Sequence, residues 1–194
     1  ESGAREGYTA LIIAQAERLK GLVDRLLGPS RPAAVTPFNI HEILERARKL
    51  IELECAFDLS ICRDYDPSIP DILMDPDLIF QAVLNIVRNA MQSLERTSHP
   101  SIKIVTRTER QFTIASVRHR NVLKIDIIDN GPGIPPEIKE NLFLPMITGR
   151  PDGTGLGLSV AHAIIHRHKG MLEFHSDQGR TRFTLIIPLE VKPK

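Results

Sequence analysis

A glycine- and proline-rich segment, residues 131–157, follows the hydrophobic stretch IDIID and precedes a helix-like stretch that ends at Gly170. Irregular segments of this length are uncommon inside compact domains unless they carry a function. We therefore expect this segment to be functional, and we look for a binding site at its two ends.

The rest of the chain shows helical and strand patterns in an irregular order. Apolar residues recur at helical spacing over residues 38–53, 75–94 and 157–168. Strand patterns occur over residues 56–65, 101–109, 122–129, 171–176 and 182–189. Between the second and third strand patterns we expect the end of one strand, a turn and the start of the next. This order predicts an α+β fold, a two-layer sandwich of helices on a mostly antiparallel or mixed sheet, and not the regular alternation of a Rossmann fold.

The first part of the chain predicts a separate helix. Residues 8–27 carry a narrow apolar stripe at helical spacing, which is typical of a helix that packs against a partner helix. A Gly-Pro pair then ends the pattern. We therefore expect a helical segment over residues 1–28, a proline-containing linker over 29–37 and one domain over 38–194, in a piece of a longer protein.

Composition and charge exclude several classes of protein. Hydrophobic residues make up 42% of the chain and charged residues 25%, as in globular domains with a core. The net charge of +1 argues against a surface for nucleic acid or for anionic membranes. There is no run of about 18 apolar residues and no signal-peptide pattern. Cys55 and Cys62 form neither a disulfide framework nor a zinc cluster, so we expect reduced, half-buried cysteines in a cytosolic protein.

The helix predicted over residues 75–94 has the clearest start signal, with Asp75 as N-cap and Pro76 at the first helical position. Within it, Asn85 and Asn89 lie four residues apart and therefore on one side, although asparagine is unfavourable inside a helix. Amide oxygens suit Mg²⁺, which prefers oxygen ligands and keeps waters and phosphate oxygens. The two asparagines indicate either a ligand site or a polar helix face at the surface.

A predicted strand ends at Asp129, and Asn130, Gly131 and Gly133 follow. A carboxylate at a strand end can accept a hydrogen bond from an exocyclic amine such as that of adenine. The glycines would let another molecule approach the backbone. The alternative is an ordinary turn that Asp129 and Asn130 cap.

A second glycine cluster, Gly153, Gly155 and Gly157, leads into the last helix. Bare backbone N–H groups and the positive end of the helix dipole favour an anion at this position, and phosphate fits it. The pattern is neither a P-loop nor a Rossmann fingerprint. By itself it is a weak signal.

Taken in order, the stretches NIVRNA, DNGPGI and GTGLGL resemble the N-box and the two glycine boxes of the ATP-binding domain of sensor histidine kinases. That domain belongs to the ATPase superfamily of type II topoisomerases and MutL-type repair proteins. The resemblance covers about residues 38–190. Residues 141–158, NLFLPMITGRPDGTGLGL, are further similar to the nitrogen-regulation (NtrB-type) kinases, and residues 1–28 resemble the second helix of their dimerisation and phosphotransfer hairpin.

The resemblance implies a site for ATP and Mg²⁺. Asn89 would be the ligand of Mg²⁺, Asn85 would line the phosphate site, and Asp129 would bind the adenine amino group. Residues 134–153 would form a lid over the nucleotide. The other nucleotide contacts would come from Gly131, Gly133, Thr148, Gly153, Thr154, Gly155, Leu156 and Gly157.

The cation that neutralises the γ-phosphate is the open part of the implied site. Many members of the family carry a lysine where this chain has Gln92. Phosphoryl transfer relies on positioning and charge neutralisation, so a cation is expected nearby. Arg150 in the lid and Arg88 beside the asparagines are the catalytic candidates, and for Arg88 the alternative is a charged helix surface.

The implied activity is that of a protein-histidine kinase, with the phosphoacceptor outside this chain. Implied partners are the upstream hairpin, a second copy of the protein, a response regulator and a PII signalling protein. Alternatives are an ATPase or serine kinase of the same superfamily, or a module that binds ATP and a partner without transferring phosphate.

His41 and Glu42 look like a phosphoacceptor pair, but they follow the linker, so we expect His41 in the first turn of the domain's first helix. His162 and His166 are expected on a helix surface rather than around a metal.

Overall fold

The chain divides into two units, Glu1–Ala33 and Ala34–Lys194. In the computed structural model, the residues described are 34–149 and 153–189, all within the second unit. The helix predicted over residues 8–27 and the candidate Arg150 lie outside the described residues.

The described residues contain all the helices and strands predicted over residues 38–189 in the predicted order, and three further short elements: the first strand, the third strand and the third helix. The helices are α1 (Ile40–Glu54), α2 (Pro76–Ser93), α3 (Pro136–Lys139) and α4 (Gly157–Arg167). The strands are β1 (Thr36–Phe38), β2 (Ser60–Asp64), β3 (Ile72–Met74), β4 (Ser101–Ile114), β5 (Val117–Asp129), β6 (Met171–Asp177) and β7 (Arg180–Pro188).

The main sheet has the strand order β2-β4-β5-β7-β6, with β2 parallel to β4 and the other neighbours antiparallel. Since side chains alternate between the two faces of a strand, every second residue points to the helices. The fully buried apolar ones are Ile102, Ile104, Leu123, Ile125, Ile127, Phe183, Leu185 and Ile187. They pack against the apolar sides of α1, α2 and α4 in one core. The predicted two-layer α+β fold on a mixed sheet is confirmed.

Helix α2 forms where the sequence signals place it. The Asp75 carboxylate accepts hydrogen bonds from the backbone N–H groups of Asp77 (3.1 Å) and Leu78 (3.2 Å), and Pro76 is the first helical residue. The buried side of the helix consists of Ile79, Ala82, Val83, Ile86, Val87 and Ala90. Complete burial of such a valine or isoleucine stabilises the fold by about 1.5–3 kcal/mol relative to exposure. The packing therefore fixes the rotation of α2 and so the direction of its polar side.

Two short strands, β1 and β3, are absent from the predicted order. They form an antiparallel pair in which Thr36 lies opposite Met74, and β1 starts within the predicted linker. The backbone N–H of Ala34 donates to the Asp75 carboxylate (2.9 Å) and continues this connection towards α2. Strands of three residues are too short to show the alternation from which strands are predicted.

Strands β4 and β5 form a hairpin, as predicted, and its turn lies at Ala115 and Ser116, both at positive φ. Cys55 is half-buried as expected, but Cys62 is exposed, since it lies on the edge strand β2. None of the helices within residues 34–149 and 153–189 has the length and apolar composition that a membrane span requires.

Candidate nucleotide-binding site

The C-terminal half of α2 lies beside the start of α4. Asn85 and Asn89 are both half-buried. A Cβ atom placed on Gly157, the first residue of α4, would lie 3.8 Å from both Cβ and Cγ of Asn85. The structure therefore brings the predicted phosphate-site asparagine Asn85 next to the second glycine cluster, which is 72 residues away along the sequence (157 − 85).

Arg88, one of the two cation candidates, faces α1. Its Nε donates to Glu54 Oε2 (3.0 Å) and its second terminal nitrogen donates to Glu54 Oε1 (2.7 Å). This two-pronged geometry is the strongest form of a guanidinium–carboxylate pair, although the pair is partly exposed to solvent. The arrangement favours the alternative, a charged helix surface, and Arg88 would have to leave Glu54 to reach a phosphate.

Asp129, the last residue of β5, is the buried carboxylate of the site, with 3% of its surface exposed. Its Oδ1 accepts a hydrogen bond from the backbone N–H of Gly131 (2.9 Å). Asn130 has a structural role, because its Oδ1 accepts from the Ser101 backbone (2.8 Å) and its Nδ2 donates to the carbonyl of His99 (2.9 Å). The structure thus contains the turn that Asp129 and Asn130 cap, and it leaves the Asp129 carboxylate buried at the end of β5.

Gly131 and Gly133 are each required to be glycine, but for different structural reasons. A Cβ on Gly131 would lie 2.7 Å from Asp129 Oδ1 and 2.9 Å from Ser93 Oγ, closer than real Cβ atoms come. Gly133 has φ +90°, and its Cβ would lie 2.7 Å from the Asp177 carbonyl oxygen on β6. Gly131 thus keeps the space around Asp129 open, whereas Gly133 lets the chain pass β6.

The segment predicted as a lid rests on the core at its first part. Leu142 is buried, and the Phe143 ring stacks on His162 of α4 at 5.0 Å and meets Phe174 edge-on at 5.7 Å. The backbone N–H of Ile134 donates to Ser176 Oγ (2.9 Å). These contacts fix residues 134–143 on β6 and α4.

Further along the segment, the chain passes over Gly155. The backbone N–H of Met146 donates to the Gly155 carbonyl (3.0 Å), and a Cβ on Gly155 would lie 2.5 Å from the Met146 carbonyl carbon. The side chains of Leu144 and Met146 are exposed by 54% and 55%. Thr148, also expected at the nucleotide, is exposed in this part of the segment.

The start of α4 can receive an anion. Its N-cap residue is Leu156, which makes no side-chain hydrogen bond to the helix, and Gly153 and Thr154 lie exposed before it. The first N–H groups of a helix have no partner within the helix and carry its positive dipole end. A phosphate at this position would satisfy these groups.

The side chain of His162 is half-buried, whereas the sequence predicts it on the helix surface. Burial, followed by the neighbouring His166, lowers the pKa of His162 below its usual value. His166 is exposed as expected, and the two rings lie 6.3 Å apart. No group of three or more His, Cys, Asp or Glu residues among the described residues is placed to hold a metal ion.

His41 lies in the first turn of α1, where it was predicted. Its backbone N–H donates to the N-cap Asn39 (2.9 Å), and its ring stacks on Tyr65 at 4.8 Å. Its Nε2 lies 3.1 Å from Thr106 Oγ1, so both the ring face and the ring edge have protein neighbours. These contacts give the ring a packing role.

The glycine clusters and the half-buried amides occur on a fold that is shared with known ATPases. Residues 74–191 match the family described as "Histidine kinase-, DNA gyrase B-, and HSP90-like ATPase". This match covers more than half of the chain, and the chain therefore belongs to this ATPase family.

Within the family, the chain is similar to nitrogen-regulation kinases. It is 51% identical to the sensory histidine kinase/phosphatase NtrB of Vibrio alginolyticus and 35% identical to that of Rhodobacter capsulatus. These matches cover 94% and 98% of this chain but 52% and 55% of the relatives. The chain thus spans about half the length of the relatives it matches.

Solved structures show the same fold. The catalytic domain of histidine kinase ThkA matches with a TM-score of 0.65 and 29% identity, over 80% of this chain and 95% of that one. A structure of ThkA in complex with the response regulator protein TrrA matches with a TM-score of 0.68 and 26% identity, over 94% of this chain and 51% of that one.

Proposed function

We propose that this chain is the catalytic, ATP-binding part of a two-component sensor histidine kinase that acts in nitrogen regulation. It would donate the γ-phosphate of ATP to a histidine on a helical hairpin for relay to a response regulator. The observation that carries the proposal is the junction of α2 and α4, which places Asn85 against Gly157 in a family of ATPases. The 51% identity to an NtrB kinase supports the reaction and the pathway.

In this proposal the two ends of the site have separate tasks. Asp129 and Gly131 receive the adenine base, since a buried carboxylate is a strong acceptor for an exocyclic amine. The first turn of α4, with Gly155, Leu156 and Gly157, receives the phosphates. Thr148, Gly153 and Thr154 would close over the nucleotide from the lid and its end.

The amide groups of α2 fit Mg²⁺. Asn89 is half-buried on the side of α2 that carries Asn85, and an amide oxygen is a hard ligand that Mg²⁺ accepts together with waters and phosphate oxygens. A site of this kind needs one or two protein ligands, because the nucleotide supplies the others. Bound Mg²⁺ would neutralise phosphate charge, and Asn89 would hold it in place.

For the cation at the γ-phosphate we propose Arg150, with Arg88 as the second candidate. Arg150 belongs to the lid by sequence, so it would approach as the lid closes. Arg88 is bound to Glu54 in the structure and would have to exchange that carboxylate for a phosphate. The energetic cost of breaking the pair argues for Arg150 as the first choice.

The proposed partners follow from the relatives. A solved structure contains histidine kinase ThkA in complex with a response regulator, and we propose a response regulator as the acceptor of the relayed phosphate here. An upstream phosphoacceptor hairpin, a second copy of the protein and a PII signalling protein are further proposed partners, which the sequence resemblance to nitrogen-regulation kinases implies.

The experiment supplies radiolabelled ATP, Mg²⁺ and a separate fragment that carries the phosphoacceptor hairpin of the Vibrio alginolyticus relative. We expect acid-labile, base-stable label on the fragment, as for phosphohistidine. Asn89→Ala should abolish transfer while the circular dichroism spectrum stays unchanged. ATP binding without label on the hairpin would contradict the kinase proposal and favour a nucleotide-dependent interaction module.

A further inference from the structure

Three groups meet at the base end of the site. Ser93, the last residue of α2, places its Oγ 3.4 Å from Asp129 Oδ1. The Cα of Gly131 faces both, since a Cβ there would lie 2.9 Å from Ser93 Oγ and 2.7 Å from Asp129 Oδ1. Ser93 is half-buried, so its hydroxyl borders the space that Gly131 leaves open.

The Ser93 hydroxyl makes its shorter contact away from Asp129. Its Oγ lies 2.7 Å from the Ala90 carbonyl oxygen, which is a normal distance for a donated O–H bond, whereas 3.4 Å to Asp129 is long. A hydroxyl carries one proton and two lone pairs. From the two distances we assign the proton to the Ala90 carbonyl, which leaves the Ser93 and Asp129 oxygens as a pair of acceptors.

An acceptor pair of this kind distinguishes purines at position 6. An amino group there can donate one N–H between two oxygens as a shared, three-centre bond. An oxo group at the same position would place a third oxygen against the two acceptors, and like partial charges repel. Discrimination by such an unfavourable contact adds to discrimination by the favourable one.

We infer that Ser93 is a specificity-determining residue of the nucleotide site, which together with Asp129 selects a 6-amino purine over a 6-oxo purine. The inference rests on the proposed function, in which ATP binds at this end of the site. A purely structural role for Ser93 is the alternative, because a serine that bonds back to the carbonyl three residues earlier can also end a helix.

The test measures the dissociation constants of ATP and of inosine triphosphate, which differ at purine position 6, by isothermal titration calorimetry with the whole chain. The comparison uses wild type, Ser93→Ala and Ser93→Thr, with Ser68→Ala as matched control. Ser68 likewise lies beside a carboxylate, but on the exposed surface, where its Oγ donates to Asp66 Oδ1 (2.7 Å). Thermal unfolding of each variant reports on folding.

We expect wild type to bind ATP more tightly than inosine triphosphate, and Ser93→Ala to reduce the ratio of the two constants about threefold to tenfold, the range for the loss of one hydrogen bond. Ser93→Thr keeps the hydroxyl and should keep most of the ratio, and Ser68→Ala should not change it. An unchanged ratio in Ser93→Ala would overturn the inference and leave the proposed function intact. If wild type binds neither nucleotide, the proposed function fails and the inference fails with it.

Discussion

The two ends of the proposed nucleotide site differ in how firmly the protein holds them. At the base end, Asp129 is 3% exposed and fixed by the backbone N–H of Gly131. At the phosphate end, Leu144 and Met146 are more than half exposed and the first turn of α4 has no side-chain cap. The base end is thus formed in advance, whereas at the phosphate end a bound phosphate would add hydrogen bonds to the first N–H groups of α4.

This difference has an energetic meaning. A preformed pocket gives selectivity at little ordering cost, because its side chains already hold their bound positions. In the proposed function, nucleotide binding at the phosphate end would be coupled to closure of the lid. Changes at the base end should therefore alter affinity and selectivity, and changes at the phosphate end should alter affinity and the order of the lid together.

The largest expected effect is at the base end. Asp129→Asn keeps an oxygen for the backbone N–H of Gly131 but removes the negative charge. A hydrogen bond to a charged group contributes about 1.5–3 kcal/mol, so ATP should bind about 10- to 150-fold more weakly. Calorimetry with ATP measures the loss, and thermal unfolding should change little. A loss below twofold would show that the base does not contact Asp129.

The next effect tests the phosphate end at Gly155. Its φ is +64° and a Cβ would lie 2.5 Å from the Met146 carbonyl carbon, so Gly155→Ala should displace the lid backbone and weaken ATP binding about tenfold. Gly179→Ala is the matched control, since Gly179 has φ +81° and nothing within 4 Å of its added Cβ. In both variants the alanine at positive φ strains the backbone, which should lower the unfolding free energy by about 1–2 kcal/mol.

Binding and unfolding measurements separate the two glycines. Only Gly155→Ala should lose affinity for ATP, and it should lose more unfolding free energy than Gly179→Ala because of the added collision. Equal affinities in the two variants would mean that the passage of Met146 over Gly155 does not shape the phosphate end.

A smaller effect concerns pH and the support of the lid. Burial and then His166 lower the pKa of His162, so the folded state binds fewer protons at this ring than the unfolded state does. The unfolding free energy therefore has its full value above the ordinary histidine pKa of about 6.5. It falls as the pH drops through the lowered pKa of His162 in the folded state. His41, whose pKa burial also lowers, acts in the same direction.

Urea unfolding between pH 7.5 and pH 5.5 measures this dependence. His162→Gln should reduce the loss of unfolding free energy on acidification, and His41→Gln gives the separate contribution of the first helix. If Phe143 holds the ring of His162 as the structure shows, Phe143→Ala should raise the pKa of His162 in an NMR titration. A pH dependence identical in wild type and His162→Gln would exclude a role of this stack.

The sequence predicted those parts of the site whose signals are local. Asp75 and Pro76 mark the start of α2, and its apolar spacing sets the direction of Asn85 and Asn89. The strand ending at Asp129 is equally readable. These signals depend on residues within one or two helical turns or one strand, and the structure agrees with them.

The contacts across the chain were not predictable in this way. Ser93 and Asp129 are 36 residues apart and meet only because α2 packs on the end of β5. The stack of Phe143 on His162 likewise depends on the lid lying against α4. Neither sequence spacing nor residue type indicates which half-buried groups the tertiary packing will bring together.

The smallest expected effect decides whether Arg88 belongs to the phosphate end. Glu54→Gln removes the carboxylate that holds the Arg88 guanidinium against α1. The pair is partly exposed, so its loss should lower the unfolding free energy by no more than about 1 kcal/mol. Because we propose Arg150 as the cation, the affinity for Mg-ATP should stay within about twofold of wild type, a change of less than about half a kcal/mol.

Glu52→Gln is the control for this last prediction, because Glu52 also forms an ion pair on α1, with Arg48 four residues earlier. Calorimetry with Mg-ATP compares both variants with wild type. A severalfold gain of affinity in Glu54→Gln alone would mean that the released Arg88 reaches the phosphates and that Glu54 competes with the nucleotide for it. The phosphate end would then include Arg88, a cation that Glu54 of α1 binds when no nucleotide is present. The difference from the preformed base end would then be larger, because a side chain would have to move before the phosphates bind.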